Sequence, residues 1–151
     1  MRKKGSILIE IVVSTMILAI TTTFVISASI QNMQILKERI LLEEVNRDIS
    51  NLINEFKYNL TRDEIKEILN NEKIGFKYSD DFSKKLLTSS VNELEKGNDI
   101  EVTKIGEDSL GIKLKVKTNI KNEKSEAVIN REFIKSWWMD EIQEKKQNWE
   151  E

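Results

Sequence analysis

The chain has 151 residues, of which 39% are hydrophobic and 33% charged, and its formal net charge is −2. This length and apolar fraction suit one small globular unit. Histidine and cysteine are both absent, which excludes zinc sites of the usual type, disulfides, thiolate nucleophiles and histidine-based acid/base catalysis. We therefore expect no enzyme, no cofactor and no metal, and the mildly acidic body does not favour nucleic acid as the default partner.

The N-terminus combines a basic leader with a long apolar segment, and residues 11–36 contain no charge. About 20 helical residues cross the roughly 30 Å hydrocarbon layer, so residues 6–30 are predicted to span a membrane. The positive-inside rule places the leader in the cytoplasm and residues 31–151 outside it. The leader charges are Arg2, Lys3 and Lys4.

One acid, Glu10, lies inside the front of this apolar segment. A carboxylate at membrane depth costs about 2.5 kcal/mol or more on insertion scales, so such an acid is functional by default. Two plainer interpretations remain open. A cleaved secretory signal peptide fits poorly because the apolar stretch is too long, and an uncleaved signal anchor would leave Glu10 at the headgroup level without a partner.

Residues 3–10 read Lys-Lys-Gly-Ser-Ile-Leu-Ile-Glu and lead directly into the apolar run. This pattern resembles the N-terminal cleavage and methylation signal of type IV pilins and pseudopilins. The resemblance implies that a membrane prepilin peptidase removes residues 1–5 by cutting between Gly5 and Ser6, and then methylates the amine of Ser6. Glu10 becomes the fifth residue of the mature chain, which is the position of the family's characteristic glutamate.

The physical role of Glu10 follows from that cut. Cleavage creates a cationic amine on Ser6 about one helical turn from Glu10. In a bundle of parallel helices the amine of one subunit can approach the acid of its neighbour, and a charge pair in a low-dielectric medium is favoured over two lone charges. We expect this pair to set the axial register of an assembly.

Two departures from the commonest family pattern refine the resemblance. Ser6 stands where major pilins usually have phenylalanine, and the chain has no proline, so Ser27 occupies the place of the helix-softening proline. These features favour a minor pilin whose partners are other pilin subunits, the prepilin peptidase, the pilus assembly machinery and the membrane. A pseudopilin of a competence DNA-uptake or type II secretion machine is one alternative, and an uncleaved single-pass protein with an extracellular binding domain is another.

Beyond the membrane segment the helix is predicted to continue to about Tyr58. An amphipathic stripe recurs there at intervals of three and four residues. Its members are Leu42, Val45, Ile49, Leu52, Phe56 and Leu60. Thr61 followed by Glu64 predicts a capping box for a short second helix ending near Asn71.

Residues 72–98 give mixed signals with short helical pieces. Asp80 and Asp81 raise the possibility of a calcium site, but two adjacent acids without further ordered oxygen ligands favour an N-cap before Phe82. From residue 99 the period changes to two, which predicts strands over residues 100–105, 110–120 and 126–135. The fold class is therefore α+β: a long helix packed on a small antiparallel meander, as in pilins.

Two surface features have a structural and a functional interpretation. The row Lys113, Lys115 and Lys117 is more simply a solvated sheet face, balanced by acids such as Glu101, Glu126 and Glu132, than a DNA-binding patch. For Trp137 and Trp138 we expect one ring to close the core and the other to lie on the surface, while the alternative is an anchor for a neighbouring subunit. The tail Gln143 to Glu151 is predicted to be a frayed polar helix.

Overall fold

The computed structural model describes residues 3–69, 72–122 and 125–140. The chain divides into two compact units, residues 1–39 and residues 40–151. The elements in chain order are α1 (Lys3–Asn54), a π-helical turn (Glu55–Asn59), α2 (Arg62–Ile68), β1 (Lys73–Phe76), α3 (Phe82–Thr88), a 3-10 turn (Val91–Glu93), β2 (Ile100–Asp108), β3 (Gly111–Asn122) and β4 (Ser125–Ser136). The predicted α+β class is confirmed in this coarse form.

Helix α1 begins and ends close to its predicted bounds. Its α-helical hydrogen bonding stops at Asn54, and the chain then makes a π-helical turn that closes where the Leu60 N–H donates to the Glu55 carbonyl at 3.1 Å. The predicted capping box is confirmed, because the Thr61 hydroxyl accepts from the Glu64 N–H while the Glu64 carboxylate accepts from the Thr61 N–H at 2.7 Å. The second helix ends at Ile68, and Asn71 lies outside the described residues.

The sheet has four antiparallel strands in the order β1-β2-β3-β4, one more than the three predicted. The additional strand, β1, is short, and its alternation was too weak to distinguish from a loop. The long hairpins of β2 with β3 and β3 with β4 were predicted. Each pair of neighbouring strands is antiparallel, and neighbours in the sheet follow one another along the chain. The described sheet is therefore a meander.

The turn between β2 and β3 is tighter than predicted. Strand β2 continues to Asp108, and the Asp108 carboxylate accepts hydrogen bonds from the N–H groups of Leu110 (2.8 Å) and Gly111 (3.1 Å). Gly111 has a φ of +149°, and a Cβ there would lie 2.0 Å from the Lys135 carbonyl oxygen. Leu110, predicted to be the first residue of β3, is instead an exposed turn residue.

The core forms where the second half of α1 meets the inner face of the sheet. Five members of the predicted stripe are buried, but Leu42 is 44% exposed and Leu41 packs against the core in its place. The sheet contributes the inward residues of its alternating strands. These include Ile100, Val102, Ile112, Leu114, Val116, Ile120, Ala127 and Phe133.

Candidate functional site

The first unit contains the residues to which sequence reasoning assigned a role. The backbone from Lys3 to Ser6 is helical, so the predicted cleavage position between Gly5 and Ser6 lies in the first turns of α1. The side chains of these four residues are not among the described features, and Arg2 lies outside the described residues altogether. The side chains of this unit are therefore described from Ile7 onward.

Glu10 is an exposed residue of α1. Its backbone carbonyl accepts a hydrogen bond from the Ser14 hydroxyl at 2.7 Å. Its carboxylate has no hydrogen-bond or ion-pair partner among the described residues of the chain.

Six hydroxyl side chains of the apolar segment are bonded within the helix. Six hydroxyls donate to carbonyls three or four residues earlier, at distances from 2.7 to 3.0 Å. This back-bonding lets serine and threonine enter an apolar medium without an unpaired donor. The residues are Ser14, Thr15, Thr21, Thr22, Thr23 and Ser27.

The apolar side chains of the same segment are uncovered. Every large hydrophobic residue from Ile7 to Leu36 is at least 50% exposed. The helix is long and apolar enough to cross a membrane, with a mean hydropathy of 2.1 over its most apolar stretch and no burial there. An exposed apolar surface of this extent marks a contact with lipid or with other protein.

In the second unit, the lysine row lies on the outer face of β3 among acids. The Glu132 carboxylate lies 3.9 Å from the Lys113 ammonium and 4.0 Å from that of Lys115, and Glu126 lies 3.1 Å from Lys121. Lys117 stands opposite Glu101 in the register of β2 and β3. The arrangement is a mixed-charge sheet face, and it lacks the clustered unpaired cations that phosphate contacts require.

The Asp80-Asp81 pair shows no cation-binding geometry. Asp81 occupies the N-cap position of α3 as predicted, but its side chain does not cap the helix, and its carboxylate instead lies 3.1 Å from the Lys84 ammonium. Among the described residues no group of three or more acids is placed to hold a metal ion. At the start of α3 the Phe82 N–H donates a hydrogen bond to the Ser79 carbonyl at 2.8 Å.

The tryptophan expectation is wrong in one respect. Trp137 and Trp138 are 47% and 44% exposed, so neither ring closes the core. Met139, which follows them, is 8% exposed and takes the inner position. The predicted polar tail, residues 143–151, lies outside the described residues.

A buried acid on α1, Asp48, is not among the residues that the sequence pattern singles out. It is 2% exposed, and its Oδ2 accepts a hydrogen bond from the Tyr78 hydroxyl at 3.2 Å. Burial first, and then the Asp48 charge, raise the pKa of Tyr78 above its ordinary value. The signal was present in the spacing, since Asp48 lies three residues after Val45 and four before Leu52 on the buried stripe.

A second buried ionic group joins three elements near the end of β4. The Lys135 ammonium is fully buried, donates a hydrogen bond to the Lys57 carbonyl oxygen at 2.7 Å and lies 3.0 Å from Asp140 Oδ1. The other oxygen of Asp140 accepts from Arg62 Nε at 3.0 Å. The alternation of β4 could have located Lys135 on the inner face, two residues after the buried Phe133.

A third polar contact ties the sheet to α1. The guanidinium of Arg131, on the inner face of β4, donates to the Ser50 hydroxyl at 2.9 Å and to the Asn46 side-chain carbonyl at 2.6 Å. These two acceptors lie four residues apart on one helix face, which matches the fork of the guanidinium. The helix is therefore positioned on the sheet by directional contacts as well as by apolar packing.

No family model, no curated protein and no solved structure matches this chain.

Proposed function

We propose that this protein is a minor pilin-like subunit of a type IV pilus, made as a single-pass cytoplasmic membrane precursor with residues 31–151 outside the cytoplasm. A prepilin peptidase cuts between Gly5 and Ser6, and the mature chain assembles through its N-terminal helix. The observation that carries the proposal is the first part of α1, an uncovered apolar helix whose one acid, Glu10, has no partner among the described residues.

The surface of this helix suits both the membrane-bound precursor and the assembled subunit. An α-helix pairs the backbone groups of its interior turns, and the six bonded hydroxyls of this helix enter lipid without an unpaired donor. The same surface can exchange lipid for the apolar helices of neighbouring pilin subunits during assembly, because packing and not water exclusion decides helix association in a membrane. No rearrangement of the described helical backbone is needed for the exchange.

The carboxylate of Glu10 supplies the directional element of the assembly. The cut converts Ser6 into a chain terminus with a positive amine, and that amine can pair with Glu10 of an adjacent subunit. Two unit charges about 4 Å apart interact by about 4 kcal/mol at an effective dielectric constant of about 20. Desolvation offsets part of this energy, so the pair acts mainly by setting register.

The balanced charge of the outer sheet face favours a pilus subunit over a DNA-contacting pseudopilin. Efficient DNA contact needs several clustered cations, and the nearby acids reduce the net charge of the lysine row. A pseudopilin of a secretion or DNA-uptake machine would use the same N-terminal chemistry. Deletion of the gene, scored for surface pili, DNA uptake and secretion in parallel, separates these machines.

The decisive experiment is mass spectrometry of the mature N-terminus, isolated from the native cell. The proposal expects a chain that begins at Ser6, with an added methyl group on its amine. A chain that retains Met1 or begins at Arg2 would overturn the proposal and favour an uncleaved signal anchor. A chain cut near Ser29 would instead indicate an ordinary secretory signal peptide.

A second experiment tests the role of Glu10 directly. Incorporation is measured as the fraction of this protein that is recovered in purified surface pili. We expect Glu10→Gln to be cleaved normally but incorporated at about a tenth of the normal level, because the register pair is lost. Glu38→Gln, an exposed acid farther along the same helix, is the matched control. Equal incorporation of both variants would remove the assigned role.

A further inference from the structure

We draw no further inference here: the strongest candidate, the outer edge of β4 (Ser125–Ser136), which has no neighbouring strand on the side away from β3 in the described part of the chain, carries nothing because none of the described residues shows what covers it.

Discussion

Removing one member of the buried pair between Lys135 and Asp140 is the sharpest test of how the second unit is held together. Asp140→Ala would leave the Lys135 ammonium, which is fully buried, with only the Lys57 carbonyl at 2.7 Å. The side chain is too deeply placed to reach water without moving the end of β4. The packing of β4 on the π-helical turn therefore depends on Asp140, in the helical residues that follow β4.

The magnitude follows from the exposure of the two partners. Breaking a buried ion pair by deleting one partner costs about 3–5 kcal/mol. The Asp140 side chain is 22% exposed and also pairs with Arg62. In Asp140→Ala, water can therefore partly take the place of the missing carboxylate. We expect the lower end of that range, about 3 kcal/mol, for Asp140→Ala. Lys135→Met, which removes the buried charge and keeps an apolar chain of similar length, should cost about 1 kcal/mol.

The measurement is urea unfolding of the full chain in detergent, followed by tryptophan fluorescence and far-UV circular dichroism. The double variant Lys135→Met with Asp140→Ala should be more stable than Asp140→Ala alone, because no buried charge is left without a partner. Asp81→Ala is the control, since its pair with Lys84 is exposed and should contribute under about 1 kcal/mol. A loss in Asp140→Ala no larger than in this control would refute the reasoning, as would simple additivity in the double variant.

Two further predictions concern Tyr78 and Glu107. Tyr78→Phe removes the hydroxyl that donates to the buried Asp48, and it should lower the free energy of unfolding in urea by about 1–3 kcal/mol. The pKa of Tyr78 is raised above its ordinary value of 10.0, so the wild type should also lose stability as the pH rises above that value. Tyr78→Phe should lose less stability over the same pH range. Hydrogen bonds from Lys104 and Lys66, each 2.8 Å from a Glu107 oxygen, lower the pKa of Glu107 to about 2 from 4.5. Because the pKa of Glu107 is lower in the folded state, its ion pairs stabilise the fold fully above pH 4.5, and this stabilisation is lost as the pH falls toward about 2. The stability of Glu107→Gln should therefore depend less on pH in that range. An unchanged pH profile would contradict the assignment.

The regular elements were predictable because their signals are local. The capping box of Thr61 and Glu64 depends on residues three apart, and both hydrogen bonds form as expected. The alternation of apolar residues in β3 and β4 likewise reports the two faces of a strand wherever one face is buried. Neither inference required knowledge of what lies on the other side of the core.

The errors arise where burial is decided by a distant partner. Leu42 satisfies the helical period of the stripe, yet the sheet does not reach it, and Leu41 packs instead. Asp48 and Lys135 are typical surface residue types, and each is buried because a partner from elsewhere in the chain supplies its hydrogen bond. Trp137 and Trp138 are typical core residue types, and both remain half-exposed because Met139 takes the inner position.

The sequence by itself determined the long N-terminal helix, the place of Glu10 in its apolar part and the α+β class, because periodicity and charge spacing act within a few residues. The cleavage site and the pilus role remain predictions from the motif around Gly5 and Ser6. Tertiary structure alone decided which partners the buried Asp48 and Lys135 meet, and that Trp137 and Trp138 stay half-exposed. Local pattern can place Asp48 and Lys135 on an inward face, but the partners that let them be buried come from residues far apart in the chain, which local pattern does not specify.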